Sequence, residues 1–232
     1  MNIMAKQYIA CSKLAGAFMF GDKILNKGRV LVLPNAIDIE KYVYDPEKSH
    51  LIKNRMGLDN KFVICHIGRL FEQKNPFGLI DIFENISRKD KDAVLLSVGG
   101  GPLETEFKAY IQKKNLGDKI EVLGVRRDIP DILQCADVFL LPSFYEGLPI
   151  VAIEAQAAGL PCVLSSAITS ETDITGTVSF VSLQDSKEKW TEAVCQCKGK
   201  ERANNIKRLT DAYYNIRYLS PPQQKLINWF KQ

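Results

Sequence analysis

Residues 137–166, DVFLLPSFYEGLPIVAIEAQAAGLPCVLSS, combine two short apolar runs with a helical segment between them. The runs 137–143 and 161–166 are apolar nearly throughout, which is typical of strands buried on both faces. The segment 149–158 begins with proline, is followed by Gly159 and has almost no polar face, so we predict a buried helix. A strand, a helix and a second strand in this order predict one unit of a parallel sheet.

The same alternation extends through most of the chain. Apolar runs alternate with amphipathic segments, a pattern that predicts a Rossmann-like, doubly wound α/β fold. In such a sheet the ligand binds at the carboxyl ends of the strands, so functional residues are expected in the loops there. The further predicted strands are 61–68, 93–101, 119–124 and 179–183, and the further predicted helices are 76–89, 102–115, 129–136 and 186–198.

The composition narrows the classes of function. The 232 residues are 46% hydrophobic and carry a mild net charge of +4, and basic residues are not interleaved with aromatics, so nucleic acid is not an expected partner. Six cysteines without a C-x-x-C pair and only two histidines argue against a metal site. His66, in a strand, is expected to be a satisfied core residue. With no membrane-length apolar run and no signal peptide, the chain is expected to be cytoplasmic.

Two glutamates indicate a ligand. Glu146 lies in the loop before the predicted buried helix, and Glu154 lies inside that helix, where an unpaired carboxylate is costly. Because helix N-termini bind anions and carboxylates accept hydrogen bonds from sugar hydroxyls, the pair favours a sugar-phosphate or nucleotide. The structural alternative is a solvated Glu146, with Glu154 paired to an internal arginine or to backbone N–H groups. The residues alone leave both interpretations open.

The loop GRLFEQKN (68–75) follows one predicted strand and precedes a helix. Arg69 and Lys74 could clamp a diphosphate there, the arginine through two parallel hydrogen bonds and the lysine as a point charge. Considered by itself, the pair fits a solvated surface better. Its place beside the Glu146 loop at the same sheet edge favours a binding role.

Two other loops at this edge carry weaker signals. In VGGGPLETEF, Glu104 stands where a dinucleotide fingerprint needs its third glycine. A structural turn, with Pro102 at a helix start, therefore explains the glycines better than close approach of a ligand to Gly100. In LGVRRDIPDIL, the arginines are expected to be solvated and Asp128 to cap the next helix, while the loop backbone could meet a base edge.

Several of these motifs together resemble the C-terminal, nucleotide-sugar-binding domain of GT-B-fold glycosyltransferases. More narrowly, they are similar to glycosyltransferase family 4, which includes bacterial capsular and exopolysaccharide enzymes. The family's E-x7-E signature is matched by Glu146 and Glu154, and its G-R-x4-K signature by Arg69 and Lys74. The resemblance covers about residues 29–185 and rests on PNAID, GRLFEQK, GGGP, the LG and DIP segments and PSFYEGLPIVAIEAQAAGLPCVLS.

The resemblance implies a role for each matched residue. Arg69 and Lys74 would hold the donor diphosphate. Glu146 would contact the donor sugar at the reacting centre, and Glu154 would bind the ribose hydroxyls. The family transfers a sugar with retention of anomeric configuration, usually without a required metal. The resemblance therefore implies that no cofactor is required and that the donor is a nucleotide-diphosphate sugar, a UDP- or GDP-sugar. The other implied donor contacts are Gly68, Gly100, the amides of Gly147, Leu148 and Ile150 at the distal phosphate, and the backbone of Val125 and Arg126 near the base.

The ends of the chain do not fit a complete enzyme of that family, which has an N-terminal acceptor domain. We therefore expect a truncated chain, or a fragment, whose sugar or lipid-linked acceptor binds through the missing domain. The expected parts are a remnant of the acceptor domain (1–28), an interdomain linker and first strand (29–42), the nucleotide-sugar-binding domain (43–203) and a helical tail (204–232). In this tail Pro221-Pro222 breaks the helix before a final amphipathic stretch.

The expected partners follow from the same resemblance and from the missing acceptor domain. An apolar face around residues 8–20 and 221–230 would favour self-association, and peripheral contact with the inner face of the cell membrane is consistent with a lipid-linked acceptor. Two other functions compete with sugar transfer in surface-polysaccharide assembly. One is a non-catalytic module that binds nucleotides or nucleotide-sugars. The other is a GT-B-fold epimerase, which the absence of a histidine or acid cluster suited to proton transfer disfavours.

Overall fold

The computed structural model describes residues 8–218 and 220–230. Strands β3 to β8 form one parallel sheet in the order β5-β4-β3-β6-β7-β8, and β1 pairs with β2 in a small second sheet. The strands within the described residues are β1 (Tyr8–Ala10), β2 (Val30–Val32), β3 (Phe62–Ile67), β4 (Ala93–Val98), β5 (Ile120–Gly124), β6 (Val138–Leu141), β7 (Cys162–Ser165) and β8 (Val178–Val181).

Helices connect the strands and cover both faces of the larger sheet. Most of the predicted helices are present with ends shifted by a few residues, as is usual where terminal turns fray. The helices in the described part of the chain are α1 (Lys13–Phe20), α2 (Asp22–Asn26), α3 (Pro46–Arg55), α4 (Pro76–Lys89), α5 (Glu104–Lys113), α6 (Ile129–Cys135), α7 (Ile150–Ala157), α8 (Lys187–Cys195), α9 (Ile206–Asp211) and α10 (Pro221–Phe230).

Two apolar cores lie on opposite faces of the six-stranded sheet. In β3, Ile64 faces a core that includes Phe83 of α4 and Trp190 of α8. Its neighbour Cys65 faces the other core, with Ala155 of α7. Successive residues of a strand point to opposite faces, so a strand covered on both sides must be apolar throughout. The predicted doubly wound α/β fold is confirmed.

The strand order reverses between β3 and β6. From β3 the chain moves outward through β4 to β5, and then returns to the other side of β3 for β6, β7 and β8. The loops that leave β3 and β6 therefore run away from each other over opposite sides of the sheet. Such a switch point opens a crevice at the carboxyl ends of the two strands, which is where ligands bind in open α/β sheets.

Asn75 fixes the beginning of α4 at this crevice. Its backbone is left-handed, with φ of 53°, a conformation that asparagine adopts more readily than most residues. Its Oδ1 accepts a hydrogen bond from the Gly78 N–H at 3.2 Å and caps the helix, while its Nδ2 donates to the Pro142 carbonyl at 3.1 Å. One side chain thereby ties the β3–α4 loop to the loop after β6.

The structure changes the assignment of the first strand. Val30–Val32, the strand expected within the linker 29–42, pairs with Tyr8–Ala10 and not with the six-stranded sheet. Val30 is buried against Tyr8 and Ala10, so its apolar neighbours come from the N-terminal segment. This segment, β1-α1-α2-β2, has a small core of its own.

Two further differences concern helices. Sequence patterns missed α3, because its residues are mostly polar and show no apolar stripe, although Asp45 before Pro46 is a strong start signal. α5 begins at Glu104, not at Pro102. As expected, the two prolines separate the final amphipathic stretch from the helix before it: Pro221 and Pro222 begin α10, where the first helical positions need no intrahelical N–H donor.

The cysteines and the helix lengths add two facts. Cys65, Cys135, Cys162 and Cys197 are buried, Cys11 and Cys195 are half-buried, and all six are free thiols. Within the described residues, none of the helices has both the length and the apolar character needed to cross a membrane.

Candidate functional site

Lys74 and Glu146 meet at the switch point. The Lys74 ammonium lies 2.5 Å from Glu146 Oε1, and the two side chains are only 17% and 9% exposed. Lys74 ends a short 3-10 turn after β3, and Glu146 lies in the loop after β6. The two signatures are thus joined directly by an ion pair. The resemblance implied separate contacts, Lys74 with the donor diphosphate and Glu146 with the donor sugar, and it did not indicate this direct bond between them.

Gln73 holds the same two loops together. Its Nε2 donates to the Tyr145 carbonyl at 2.9 Å and to Glu146 Oε2 at 3.4 Å. The backbone carbonyl of Gln73 accepts a hydrogen bond from the Phe144 N–H at 2.8 Å. Both oxygens of the Glu146 carboxylate are therefore engaged, which fixes the orientation of that group. Sequence reasoning missed Gln73, although it lies within the quoted loop next to Lys74.

Arg69 is placed differently from Lys74. Its guanidinium is exposed and lies 6.0 Å from the centroid of the Phe71 ring. Among the described residues it has no ion-pair partner. The structure therefore brings Lys74 and Glu146 together and leaves Arg69 directed to solvent at the same loop, where an anion could reach it.

The N-terminus of α7 faces this crevice without a side-chain cap. Pro149 is the N-cap residue, and the N–H groups of Leu148 and Ile150 have no hydrogen-bond acceptor within residues 8–218 and 220–230. The Leu148 side chain is buried and Ile150 is exposed. Free N–H groups and the helix dipole favour an anion at such a position. The carbonyl of the exposed Gly147 accepts from Ser12 Oγ at 3.3 Å, so the N-terminal segment touches this loop.

Glu154 has a protein partner that sequence reasoning did not find. The Tyr42 hydroxyl donates to Glu154 Oε1 at 2.6 Å, across 112 residues of chain. The partner is a tyrosine hydroxyl, and not the internal arginine or the backbone N–H groups of the structural alternative. Burial raises the pKa of the Glu154 carboxyl, and the Tyr42 hydrogen bond opposes that rise. No local pattern marks Tyr42, since the contact depends on how distant segments pack.

The glycine turn after β4 serves close packing of backbone on backbone. A Cβ on Gly99 would lie 2.0 Å from the Gly68 carbonyl oxygen, and one on Gly101 would lie 2.4 Å from the Leu70 carbonyl oxygen. The carbonyl of Gly100 accepts from the Leu70 N–H at 3.0 Å. The backbone of this turn therefore packs directly against the backbone of the Arg69 loop, in agreement with the structural interpretation of these glycines.

The loop after β5 presents backbone and one apolar side chain to solvent. Val125 is 82% exposed, and Arg126 is bound by Asp128 through contacts of 2.8 and 2.6 Å. Asp128 occupies the N-cap position of α6, but its side chain makes no capping hydrogen bond. The predicted cap is wrong, because the arginine competes for the carboxylate. A Cβ on Gly100 would lie 3.2 Å from Val125, so the two loops adjoin.

His66 lies directly beneath the Gly68 turn. Its ring is fully buried, and Nδ1 lies 3.0 Å from the Leu140 carbonyl oxygen, which makes Nδ1 the donor. Its Nε2 has no hydrogen-bond partner within the described residues, so the expectation of a fully satisfied histidine holds for one nitrogen only. Burial lowers the pKa of His66 to about 4. A Cβ on Gly68 would come within 2.9 Å of Nε2, which explains the glycine.

The site therefore consists of four loops at adjacent strand ends. The loops after β3 and β6 supply the Lys74–Glu146 pair, and the uncapped N-terminus of α7 lies next to Glu146 in sequence. The turns after β4 and β5 adjoin each other on one side of the β3 loop. Within the described residues, no cluster of three or more His, Cys, Asp or Glu side chains could hold a metal ion.

Comparison with known proteins identifies the family. The sequence pattern that defines the glycosyl transferases group 1 matches residues 49–196, which is more than half of the chain. The chain belongs to this family. The matched range contains Arg69, Lys74, Glu146 and Glu154, and so covers both signatures.

Curated relatives are longer than this chain. It is 34% identical over 189 residues to the EpsF protein of Bacillus subtilis, which covers 81% of this chain and 49% of that protein. It is 39% identical over 142 residues to the Escherichia coli UDP-Gal:alpha-D-GlcNAc-diphosphoundecaprenol alpha-1,3-galactosyltransferase, covering 60% of this chain and 37% of that enzyme. The chain spans about half the length, or less, of these relatives.

Solved structures share the fold. Anabaena HepE in complex with UDP-glucose superposes with a TM-score of 0.82 at 20% identity, over 99% of this chain and 65% of that one. WaaG, a glycosyltransferase involved in lipopolysaccharide biosynthesis, superposes with a TM-score of 0.69 at 18% identity, over 85% of this chain and 55% of that one. The architecture is that of the GT-B glycosyltransferases.

Proposed function

We propose that this chain binds a nucleotide-sugar and transfers the sugar with retention of anomeric configuration. The observation that carries this proposal is the Lys74–Glu146 ion pair at the switch point, next to the uncapped N-terminus of α7. A cation, free backbone N–H groups and a helix N-terminus together suit a diphosphate. A fixed carboxylate beside them suits the hydroxyl groups of the attached sugar.

The diphosphate would lie between the β3 loop and α7. An ammonium group has three N–H donors, and Glu146 takes one from Lys74, so others stay available to phosphate oxygens. Arg69 would swing from its exposed position to form a two-point contact. The amides of Gly147, Leu148 and Ile150 would meet the distal phosphate. These groups would stabilise the charge that develops on the leaving nucleotide, the main electrostatic demand of the transfer.

The rest of the donor would extend along the strand ends. Glu154 would accept hydrogen bonds from the ribose hydroxyls through the oxygen that Tyr42 leaves free. The backbone of Val125 and Arg126 would line the base, and the turns at Gly68 and Gly100 would allow the nucleotide to approach closely. Because the Arg126 side chain is held by Asp128, only its backbone is offered for this contact.

We place UDP ahead of GDP as the nucleotide, and surface-polysaccharide assembly as the setting. The structural neighbour HepE was solved with UDP-glucose, and the galactosyltransferase relative is named for UDP-Gal and a diphosphoundecaprenol-linked acceptor. By analogy the acceptor would be a sugar or a lipid-linked sugar. The protein would then work in the cytoplasm, at the inner face of the cell membrane, which cell fractionation would test.

Titration calorimetry tests the binding site. The chain is titrated with UDP, with GDP and with UDP- and GDP-sugars, and binding of at least one of these nucleotides is expected. Arg69→Ala should weaken that binding by about 1.5–3 kcal/mol, the range for hydrogen bonds to charged groups. Arg127→Ala removes an exposed arginine that has no proposed role and serves as the control. An absence of binding to every nucleotide, at high protein concentration, would reject the proposal.

A transfer assay separates the enzyme from a non-catalytic binding module. The nucleotide-sugar that binds is incubated with membrane lipids that carry diphosphate-linked sugars, and the product is examined by NMR. Transfer with the donor's anomeric configuration retained supports the proposal. An inverted product contradicts the retaining mechanism, and tight binding without transfer favours the module.

A further inference from the structure

Tyr42 contacts the carboxylate proposed to meet the ribose, although it lies outside both signatures. Its hydroxyl donates to Glu154 Oε1 at 2.6 Å. Burial, and then the bond to Glu154, raise the pKa of the Tyr42 phenol well above its usual range. The hydroxyl thus stays protonated at neutral pH and remains a donor.

The position of Tyr42 is fixed independently of Glu154. Its N–H donates to the Ile39 carbonyl at 2.9 Å, at the end of a short 3-10 turn. Its carbonyl accepts from Nε2 of the buried Gln134 at 3.4 Å. The ring packs against two apolar clusters, which include Ile153 and Ala155 of α7. A tyrosine that is packed and hydrogen-bonded on its own account therefore holds one oxygen of a carboxylate on the neighbouring helix.

The second oxygen of Glu154 has no hydrogen-bond partner in the described part of the chain. A carboxylate has two oxygens, and holding one of them determines where the other points. Without the tyrosine hydroxyl, the carboxylate could rotate about its last bond, since that torsion is soft. Its free oxygen would then meet a ligand less often in the right direction.

We propose that Tyr42 is a positioning residue for nucleotide binding, which holds Glu154 so that its free oxygen meets the ribose hydroxyls. The inference rests on the proposed function and adds a role for a residue outside the signatures. A site built to bond a hydroxyl rejects an analogue that lacks it. Tyr42 therefore contributes to the choice of ribonucleotides over deoxyribonucleotides, and a tyrosine that served packing alone would not.

The experiment measures affinity and discrimination together. Calorimetry compares UDP with its 2′-deoxy and 3′-deoxy forms, or the GDP series if GDP binds better. Tyr42→Phe should weaken nucleotide binding about fivefold, the effect of one hydrogen bond. It should also lower the discrimination against at least one deoxy form by about threefold or more. Tyr214→Phe removes a hydroxyl from the apolar cluster that contains Ile153 and should leave both quantities unchanged.

A double-mutant cycle shows whether Tyr42 acts through Glu154. In the Glu154→Gln background, adding Tyr42→Phe should change the affinity little, because the carboxylate it positions is gone. Unchanged discrimination in a folded Tyr42→Phe protein overturns the inference, and so does full discrimination in Glu154→Gln, whether or not Tyr42→Phe folds. If the wild-type chain binds no nucleotide, the proposed function fails and this inference fails with it.

Discussion

Glu154 combines a cost in stability with a proposed role in binding. Burial raises the pKa of its carboxyl, so the folded state binds its proton more tightly than the unfolded chain does. The contribution of this group to stability is then largest at acidic pH, and it decreases as the pH rises from about 4.5 through the higher folded pKa. The charged form that the proposed ribose contact needs is the form that folding disfavours.

Glu154→Gln should therefore separate stability from binding. The free energy of unfolding should fall less between pH 4 and pH 7 in the variant than in the wild type, because the amide does not ionise. Nucleotide binding should weaken by about 1–3 kcal/mol if the carboxylate contacts the ribose. Urea unfolding at several pH values and calorimetry with UDP check the two expectations. An unchanged affinity would leave Glu154 with a structural role only.

For His66 we expect the free energy of unfolding to depend on pH with the opposite sign. Its pKa falls from 6.5 to about 4 in the folded chain because burial disfavours the charged ring. The unfolded chain binds the proton first, so this contribution is complete above pH 6.5 and is lost as the pH falls toward 4. The lost contribution is about 3 kcal/mol at 1.36 kcal/mol per pH unit.

His66→Asn tests this expectation by urea unfolding between pH 7 and pH 4. The amide can still donate to the Leu140 carbonyl but does not titrate, so the acid-induced loss of stability should shrink by about that amount. His50→Asn, at an exposed position, is the matched control and should follow the wild type. An equal acid slope in wild type and His66→Asn would contradict a neutral buried ring.

In the turn after β4, we expect alanine substitutions at the neighbouring Gly100 and Gly101 to differ sharply in their effect on stability. Gly101→Ala would bring a Cβ within 2.4 Å of the Leu70 carbonyl oxygen, so the backbone beneath the Arg69 loop must shift. At Gly100 the nearest atoms are ends of the Val125 and Glu104 side chains, at 3.2 and 3.4 Å, which can move.

We expect Gly101→Ala to lower the free energy of unfolding by about 1–3 kcal/mol, as overpacking against a close-packed neighbour does. Gly100→Ala should change it by less than about 1 kcal/mol and serves as the control in the same turn. Thermal or urea unfolding of the two variants provides the measurement. Equal destabilisation would show that the loop contact is not what requires glycine at position 101.

For the molecule as a whole, the N-terminal segment is joined to the larger domain at the site. The N–H groups of Lys13 and Leu14, at the start of α1, each donate at 3.1 Å to the Glu171 carboxylate. Ser12 caps the same helix and donates to the Gly147 carbonyl. A displacement of this segment would therefore also move the loop that precedes α7, to which Ser12 is bonded.

The same segment exposes an apolar patch, formed by Leu14, Phe18 and Met19 of α1. Phe18 is 91% exposed and Met19 is 65% exposed, and Leu14 lies one helical turn before Phe18. Contiguous apolar surface of this kind is typical of a contact with another chain or domain. Of the matching face expected at 221–230, Leu226 and Ile227 are half-buried.

We predict that the isolated chain self-associates through this patch. Light scattering after size-exclusion chromatography should show a mass above 26.1 kDa that rises with concentration. Phe18→Ser combined with Leu14→Ser should return it to the monomer mass. Leu51→Ser, which replaces a 65% exposed leucine on α3, is the control and should leave association unchanged. A monomer mass for the unmodified chain at all concentrations contradicts the prediction.

The local sequence was sufficient to predict the α/β architecture and to find the two signatures. Apolar runs that serve both faces of a parallel sheet alternate with amphipathic segments, and this order forces strand ends and loops onto a common edge. The pattern failed for α3, whose polar residues carry no apolar stripe. It predicted a strand at Val30–Val32 but did not show that its partner strand lies in the N-terminal segment.

The contacts of the site depended on the folded chain. Lys74 and Glu146 are 72 residues apart, and Tyr42 and Glu154 are 112 residues apart, so no local pattern can show that they touch. Lys74 reaches Glu146, while Arg69, five residues earlier, points to solvent. Asn75, next to Lys74, ties that end of the loop to the Pro142 carbonyl after β6. Which residues face the crevice follows from the sequence, but which of them bond to each other is decided by the packing of distant loops.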